Sequence, residues 1–170
     1  MADTALLVID LQRGLFREHR IYNEDKLIEN ITRLINKCRE KNIPVIFIQH
    51  SNRGLLPEES PDWRIHPGVA VKDTDLCWTK RYFSLFKEKN IVEQIENLGV
   101  KKLIITGLLT QGCVKAACQD AQKLGYEVVL AEDGHSNYEQ KAQEVIDKWN
   151  RNLAEQGITV LPTASILDMI

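Results

Sequence analysis

The chain has 170 residues, with 22 Lys/Arg against 24 Asp/Glu and a formal net charge of −2. That length suits one domain, which we read as residues 1–170, and it can bury a sizeable core without disulfides or metal. The positive charge is scattered rather than gathered into a basic footprint, and no apolar stretch approaches the roughly 20 residues that span a bilayer, so neither nucleic acid nor membrane is an expected partner.

Ala5–Asp10 (ALLVID) reads as a buried strand. From about Glu24 to Lys41, Leu27, Ile28, Ile31, Leu34, Ile35 and Cys38 recur at helical spacing, and Asn23 is placed to cap that helix. Pro44–Gln49 is a second strand. Ser51 to Asp73, with Gly54, Pro57, Pro61, Pro67 and Gly68, is longer than most structureless loops and reads as a functional excursion. Leu76–Thr79 is a short third strand. Ile91–Leu98 is a helix that stops at Gly99. Lys102–Gly107 is a fourth strand, Cys113–Leu124 a helix ended by Gly125, and Glu127–Ala131 a fifth strand. Tyr138–Ala154 is a helix, and Ile158–Leu161 a sixth strand before a short terminal helix. Apolar strands alternating with amphipathic helices predict an α/β fold, a doubly wound, six-stranded, mostly parallel sheet with helices on both faces.

Ligands of such sheets bind beyond the carboxyl ends of the strands. Asp10, His50, Lys80, the turn Gly107–Cys113 and Asp133 all fall there. Cys113 opens a helix, where the dipole would favour the thiolate and backbone N–H groups could hold an oxyanion; it could equally be a small buried residue at a strand–helix corner. Asp10 is either a paired, reactive carboxylate or a cap for the following turn. Lys80 is a surface lysine or, given the aromatics of K-R-Y-F-S-L-F, the base of a partly apolar pocket. Taken together the three have a chemical logic: the ammonium keeps Asp10 ionised, and Asp10 accepts the thiol proton. Cys38, Cys77, Cys113 and Cys118 show neither a C-x-x-C pair nor zinc spacing. MADTALLVID does not read as a secretory signal, so free thiols in a cytoplasmic protein are expected.

Three motifs then carry a resemblance: V-I-D-L-Q (Val8–Gln12), K-R-Y-F-S-L-F (Lys80–Phe86) and T-G-L-L-T-Q-G-C-V (Thr106–Val114), in order over essentially the whole chain. The chain resembles the isochorismatase-like cysteine hydrolases, a Rossmann-like family that includes nicotinamidase and N-carbamoylsarcosine amidase. The resemblance implies a catalytic triad of Asp10, Lys80 and Cys113. It implies a cis peptide at Leu108–Leu109, an oxyanion hole from the N–H groups of Leu109 and Cys113, and a homo-oligomer, dimer or tetramer. It also marks departures. Nicotinamidases carry an Asp-x-His metal motif where this chain has His50-Ser51-Asn52, and true isochorismatases typically lack the cysteine. Ala117 replaces a frequent threonine, and Gly134 follows Asp133 in place of alanine.

The expectation is a cysteine-dependent hydrolase of a small amide, ureide or carbamoyl C–N bond, working through a thioester with no metal or cofactor. The alternatives are an isochorismatase-type or a metal-dependent nicotinamidase-type hydrolase, or a non-enzymatic ligand-binding member of the fold. Gln12, Phe16, His50, Trp63, Tyr82, Phe83, Phe86 and Leu108 are the expected pocket residues. The polar candidates Gln12, His50, Asn52, Arg53 and Gln111 favour a small polar substrate over a long apolar one.

Overall fold

A computed structural model describes residues 3–170. Its six strands are β1 (Thr4–Ile9), β2 (Val45–His50), β3 (Leu76–Lys80), β4 (Lys102–Leu108), β5 (Glu127–Ser136) and β6 (Thr159–Leu161). They form one sheet in the order β3-β2-β1-β4-β5-β6, and every neighbouring pair is parallel. The helices are α1 (Arg13–Glu18), α2 (Glu24–Glu40), α3 (Lys89–Asn97), α4 (Lys115–Lys123), α5 (Ala142–Glu155) and α6 (Thr163–Met169). Among the described residues no helix is long and apolar enough to cross a membrane.

The strands are apolar on both faces because both faces are covered. Ala5, Leu7 and Ile9 of β1 pack in a core with Ile91 and Ile95 of α3, Ala117 and Ala121 of α4, and Leu153 of α5. Leu6 and Val8, pointing the other way, pack with Leu27, Ile31 and Leu34 of α2 and Ile166 of α6. Burying a Leu or Ile side chain is worth about 1.5–3 kcal/mol, so these two layers dominate the stability of the fold.

Several local expectations needed revision. The sequence reading missed α1, which is only six residues long. Asn23 does precede α2, but its backbone is left-handed and its side chain makes no capping bond. β5 runs five residues beyond Ala131, and its pairing with β4 slips between Ile105 and Gly107. Gly107 is needed there: its φ is 121°, and a Cβ would fall 2.0 Å from the carbonyl oxygen of Ile9. The segment read as a helix from Cys113 begins as a π-turn over Thr110–Val114, with Gly112 far from helical geometry, and becomes α-helical only at Lys115.

The sheet order reverses at the adjacent strands β1 and β4. A crevice opens there beyond the strand ends, the usual position for a ligand in this architecture.

Candidate active site

Asp10 follows β1 with a φ of 51°, a left-handed conformation that aspartate tolerates better than most residues. Its N–H donates to the carbonyl of Ile48 (2.8 Å), which fixes the turn on β2. Lys80 is the last residue of β3, in register with His50 of β2, and its side chain is fully buried. A buried ammonium is expensive unless its hydrogens are matched. Here Nζ lies 3.1 Å from Asp10 Oδ2, 3.1 Å from His50 Nδ1, 3.1 Å from the Tyr82 carbonyl and 3.4 Å from Cys113 Sγ. Oδ1 of Asp10 is buried with no partner in the protein, so that oxygen keeps free lone pairs.

Burial and then the charge of Asp10 push the Cys113 thiol up to about 12, while the Lys80 ammonium pulls the other way and is outweighed. Cys113 sits in the π-turn before α4, not at the start of that helix, and beside a carboxylate, so the helix-start position on which a dipole-held thiolate was expected is not the one the fold provides. Burial and the neighbouring carboxylate both favour the protonated form of that sulfur. His50 is held neutral, its pKa lowered first by burial and then by Lys80.

The peptide bond between Leu108 and Leu109 is cis. Below the turn, the Thr110 hydroxyl lies 2.8 Å from His135 Nδ1, and His135 Nε2 lies 2.8 Å from Asn150 Oδ1. Asn150 Nδ2 donates to the carbonyl of Glu132, which orients the amide and leaves Oδ1 as acceptor. His135 therefore carries its hydrogen on Nε2 and accepts from Thr110 on Nδ1. Burial lowers its pKa to about 4.

A cavity of about 160 Å³ opens over Asp10, His50 and Cys113, walled by Leu15, Leu55, Leu56, Phe83 and Leu109, with Asn52 also lining it. Of the expected pocket residues, His50 and Phe83 line this cavity and the others do not. Gln12 is fully buried and occupied: Nε2 donates to the carbonyls of His50 (2.9 Å) and Trp63 (2.8 Å), and Oε1 accepts from the His50 N–H (2.8 Å). Gln12 thus pins the 51–73 excursion and His50 to the site without facing substrate. Trp63 takes part through its carbonyl, which also accepts from Gln49. Phe16 packs against His66, with ring centroids 4.4 Å apart. Phe86 and Leu108 are core. Tyr82 is exposed and offers Lys80 only its carbonyl. Among the polar candidates, Arg53 is exposed and absent from the cavity wall, and Gln111 donates to Glu139. Asp133 accepts from the N–H and hydroxyl of Thr163, holding the start of α6. The sequence reading missed Leu15, Leu55 and Leu56; the Leu55–Leu56 pair in an otherwise polar, proline-rich stretch was the available signal.

Residues 50–52 do not fit a metal. His50 turns Nδ1 to an ammonium, and Asn52 Oδ1 accepts from the N–H groups of Gly54 and Leu56. Among the described residues no group of three or more His, Cys, Asp or Glu is gathered to hold one.

The description of one protein family, the isochorismatase domain, matches residues 4–165. An uncharacterized isochorismatase family protein of Bacillus subtilis, YddQ, is 26% identical over 136 residues, covering 76% of each chain. Nicotinamidase 3 of Arabidopsis thaliana is 26% identical over 156 residues, covering 82% of this chain and 76% of that one. The crystal structure of a cysteine hydrolase from Pseudomonas syringae superposes with a TM-score of 0.89 at 18% identity, over 98% of this chain and 92% of that one.

Proposed function

From the premise that the chain belongs to the isochorismatase family of hydrolases, we propose that it cleaves the C–N bond of a small amide or carbamoyl compound through a thioester on Cys113. One observation carries the reading: the Lys80 ammonium lies within hydrogen-bonding distance of both the Asp10 carboxylate and the Cys113 sulfur, in a buried site. Asp10 removes the thiol proton as Sγ attacks the carbonyl carbon, and the N–H groups of Leu109 and Cys113 receive the oxyanion. Asp10 returns that proton to the departing nitrogen as the C–N bond breaks, releasing ammonia or an amine. Water, losing its proton to Asp10, then attacks the thioester carbonyl. The acid leaves, and the proton returns to the sulfur. Lys80 balances the charge as it passes from Asp10 to sulfur and oxygen.

The test is ammonia release from a panel of small amides and carbamoyl compounds, with Cys113→Ala as control. Release that depends on Cys113 supports the reading, and release that survives in Cys113→Ala overturns it. Nicotinamide is expected to be a poor member of the panel, since residues 50–52 do not fit a metal that would take its ring nitrogen.

A further inference from the structure

The cavity itself selects by charge. Apart from Asp10, Cys113, His50 and Asn52, its walls are the hydrocarbon of Leu15, Leu55, Leu56, Phe83 and Leu109. Among the described residues no Lys or Arg lines the cavity, and Lys80, the cation in contact with Asp10 and Cys113, has no hydrogen to spare. An ammonium carries three N–H bonds, and four acceptors already surround this one: Asp10, His50, the Tyr82 carbonyl and Cys113. His50 is held neutral. Asn52 uses its carbonyl oxygen on the backbone of its own loop, which leaves only an uncharged amide N–H₂ to offer. Arg81 is turned away, 3.0 Å from Glu58 and exposed. The fixed charge facing the cavity without a full set of partners is the Asp10 carboxylate, whose Oδ1 is unpaired.

We propose that the site takes neutral primary amides with a short, apolar acyl group and rejects substrates whose acyl group carries a carboxylate. The proposal rests on the hydrolase reading above and names the substrate class of that site. It also reverses the sequence expectation of a small polar substrate, because most of the polar residues behind that expectation are absent from the cavity or occupied elsewhere. A second carboxylate here would lose its hydration against leucine and phenylalanine, gain no cation and stand close to Asp10; all three effects oppose binding. An apolar acyl group meets the same walls favourably. The volume, about 160 Å³, is below the roughly 300–1,000 Å³ of drug-sized sites, which limits the acyl group to a few carbons.

Isovaleramide and malonamate make a matched pair, since an isopropyl group in one replaces a carboxylate of nearly the same shape in the other. The expected result is that kcat/KM for isovaleramide exceeds that for malonamate by about 100-fold or more. Placing a cation in the wall with Leu55→Arg is expected to narrow that ratio by about ten-fold or more. Protection of Cys113 from alkylation, read by peptide mass mapping, reports binding without turnover. If malonamate is hydrolysed as well as isovaleramide or better, the substrate class falls while the hydrolase reading stands. If neither is hydrolysed but isovaleramide alone protects Cys113, the class stands and the hydrolase reading falls. If neither is hydrolysed and neither protects, the class is wrong.

Discussion

Asp10 stands between an ammonium and a thiol, and its charge acts on them in opposite senses. It pairs with Lys80 at 3.1 Å, and it helps hold the Cys113 proton in place. Asp10→Asn should therefore abolish turnover, because no base remains, and yet speed alkylation of Cys113, because the repulsion that keeps the sulfur protonated is gone. In the unmodified protein, iodoacetamide labelling of Cys113 should climb about ten-fold per pH unit from pH 7 to 10 with no plateau, since the thiol is pushed up to about 12. A plateau near neutrality would mean a stable thiolate and a different resting state. Lys80 makes the complementary case. Its side chain is fully buried, so Lys80→Met leaves Asp10 buried and unpaired. The expected loss is about 3–5 kcal/mol in urea denaturation, together with loss of activity. A stable Lys80→Met protein would show that the pair is less desolvated than its burial indicates.

At the scale of elements, the turn that carries Cys113 is braced from beneath by β5 and α5 through the chain Thr110–His135–Asn150. His135 is buried and neutral, and its pKa is lowered from about 6.5 to about 4. In the unfolded chain it would bind a proton below about 6.5, whereas the folded protein resists until about 4. Its contribution is thus fully present above pH 6.5 and is lost as pH falls toward 4, by about 3 kcal/mol in all. Denaturation midpoints measured between pH 4 and 7 should show this acid limb, and His135→Gln should flatten it; an unchanged limb would assign the loss to other groups. This brace was not legible beforehand. Reading β5 as ending at Ala131 left His135 beyond the strand, and the slip at Gly107 that extends the strand is a tertiary event with no periodic signature. The turn itself was located correctly, because a strand, a glycine-bearing turn and a following helix mark it. Its π geometry was not, and that geometry moves Cys113 off the helix start on which the dipole argument relied.

Across the whole molecule, the doubly wound sheet was readable from apolar runs alternating with helical spacing, since a parallel strand buried on both faces leaves a compositional mark that depends little on detail. That pattern also placed Asp10, Lys80 and Cys113 at one edge of the sheet. The cavity walls were far less legible. Leu15 lies on a helix too short to show a period, and Leu55 and Leu56 lie in the long excursion, whose path is set by side chains elsewhere such as Gln12. Aromatic content drew attention to Phe16, Trp63 and Phe86, but packing placed Phe86 in the core and left Phe16 and Trp63 off the cavity wall. The central claim remains covalent: the acyl group of an amide passes onto Cys113 before it reaches water. Acid quench of the enzyme during turnover of an amide it hydrolyses, followed by peptide mass mapping, tests this most directly. The account predicts an acyl mass on the peptide containing Cys113, absent in Cys113→Ala. Steady turnover with Cys113 unmodified, or an acyl group on Cys77, would contradict it.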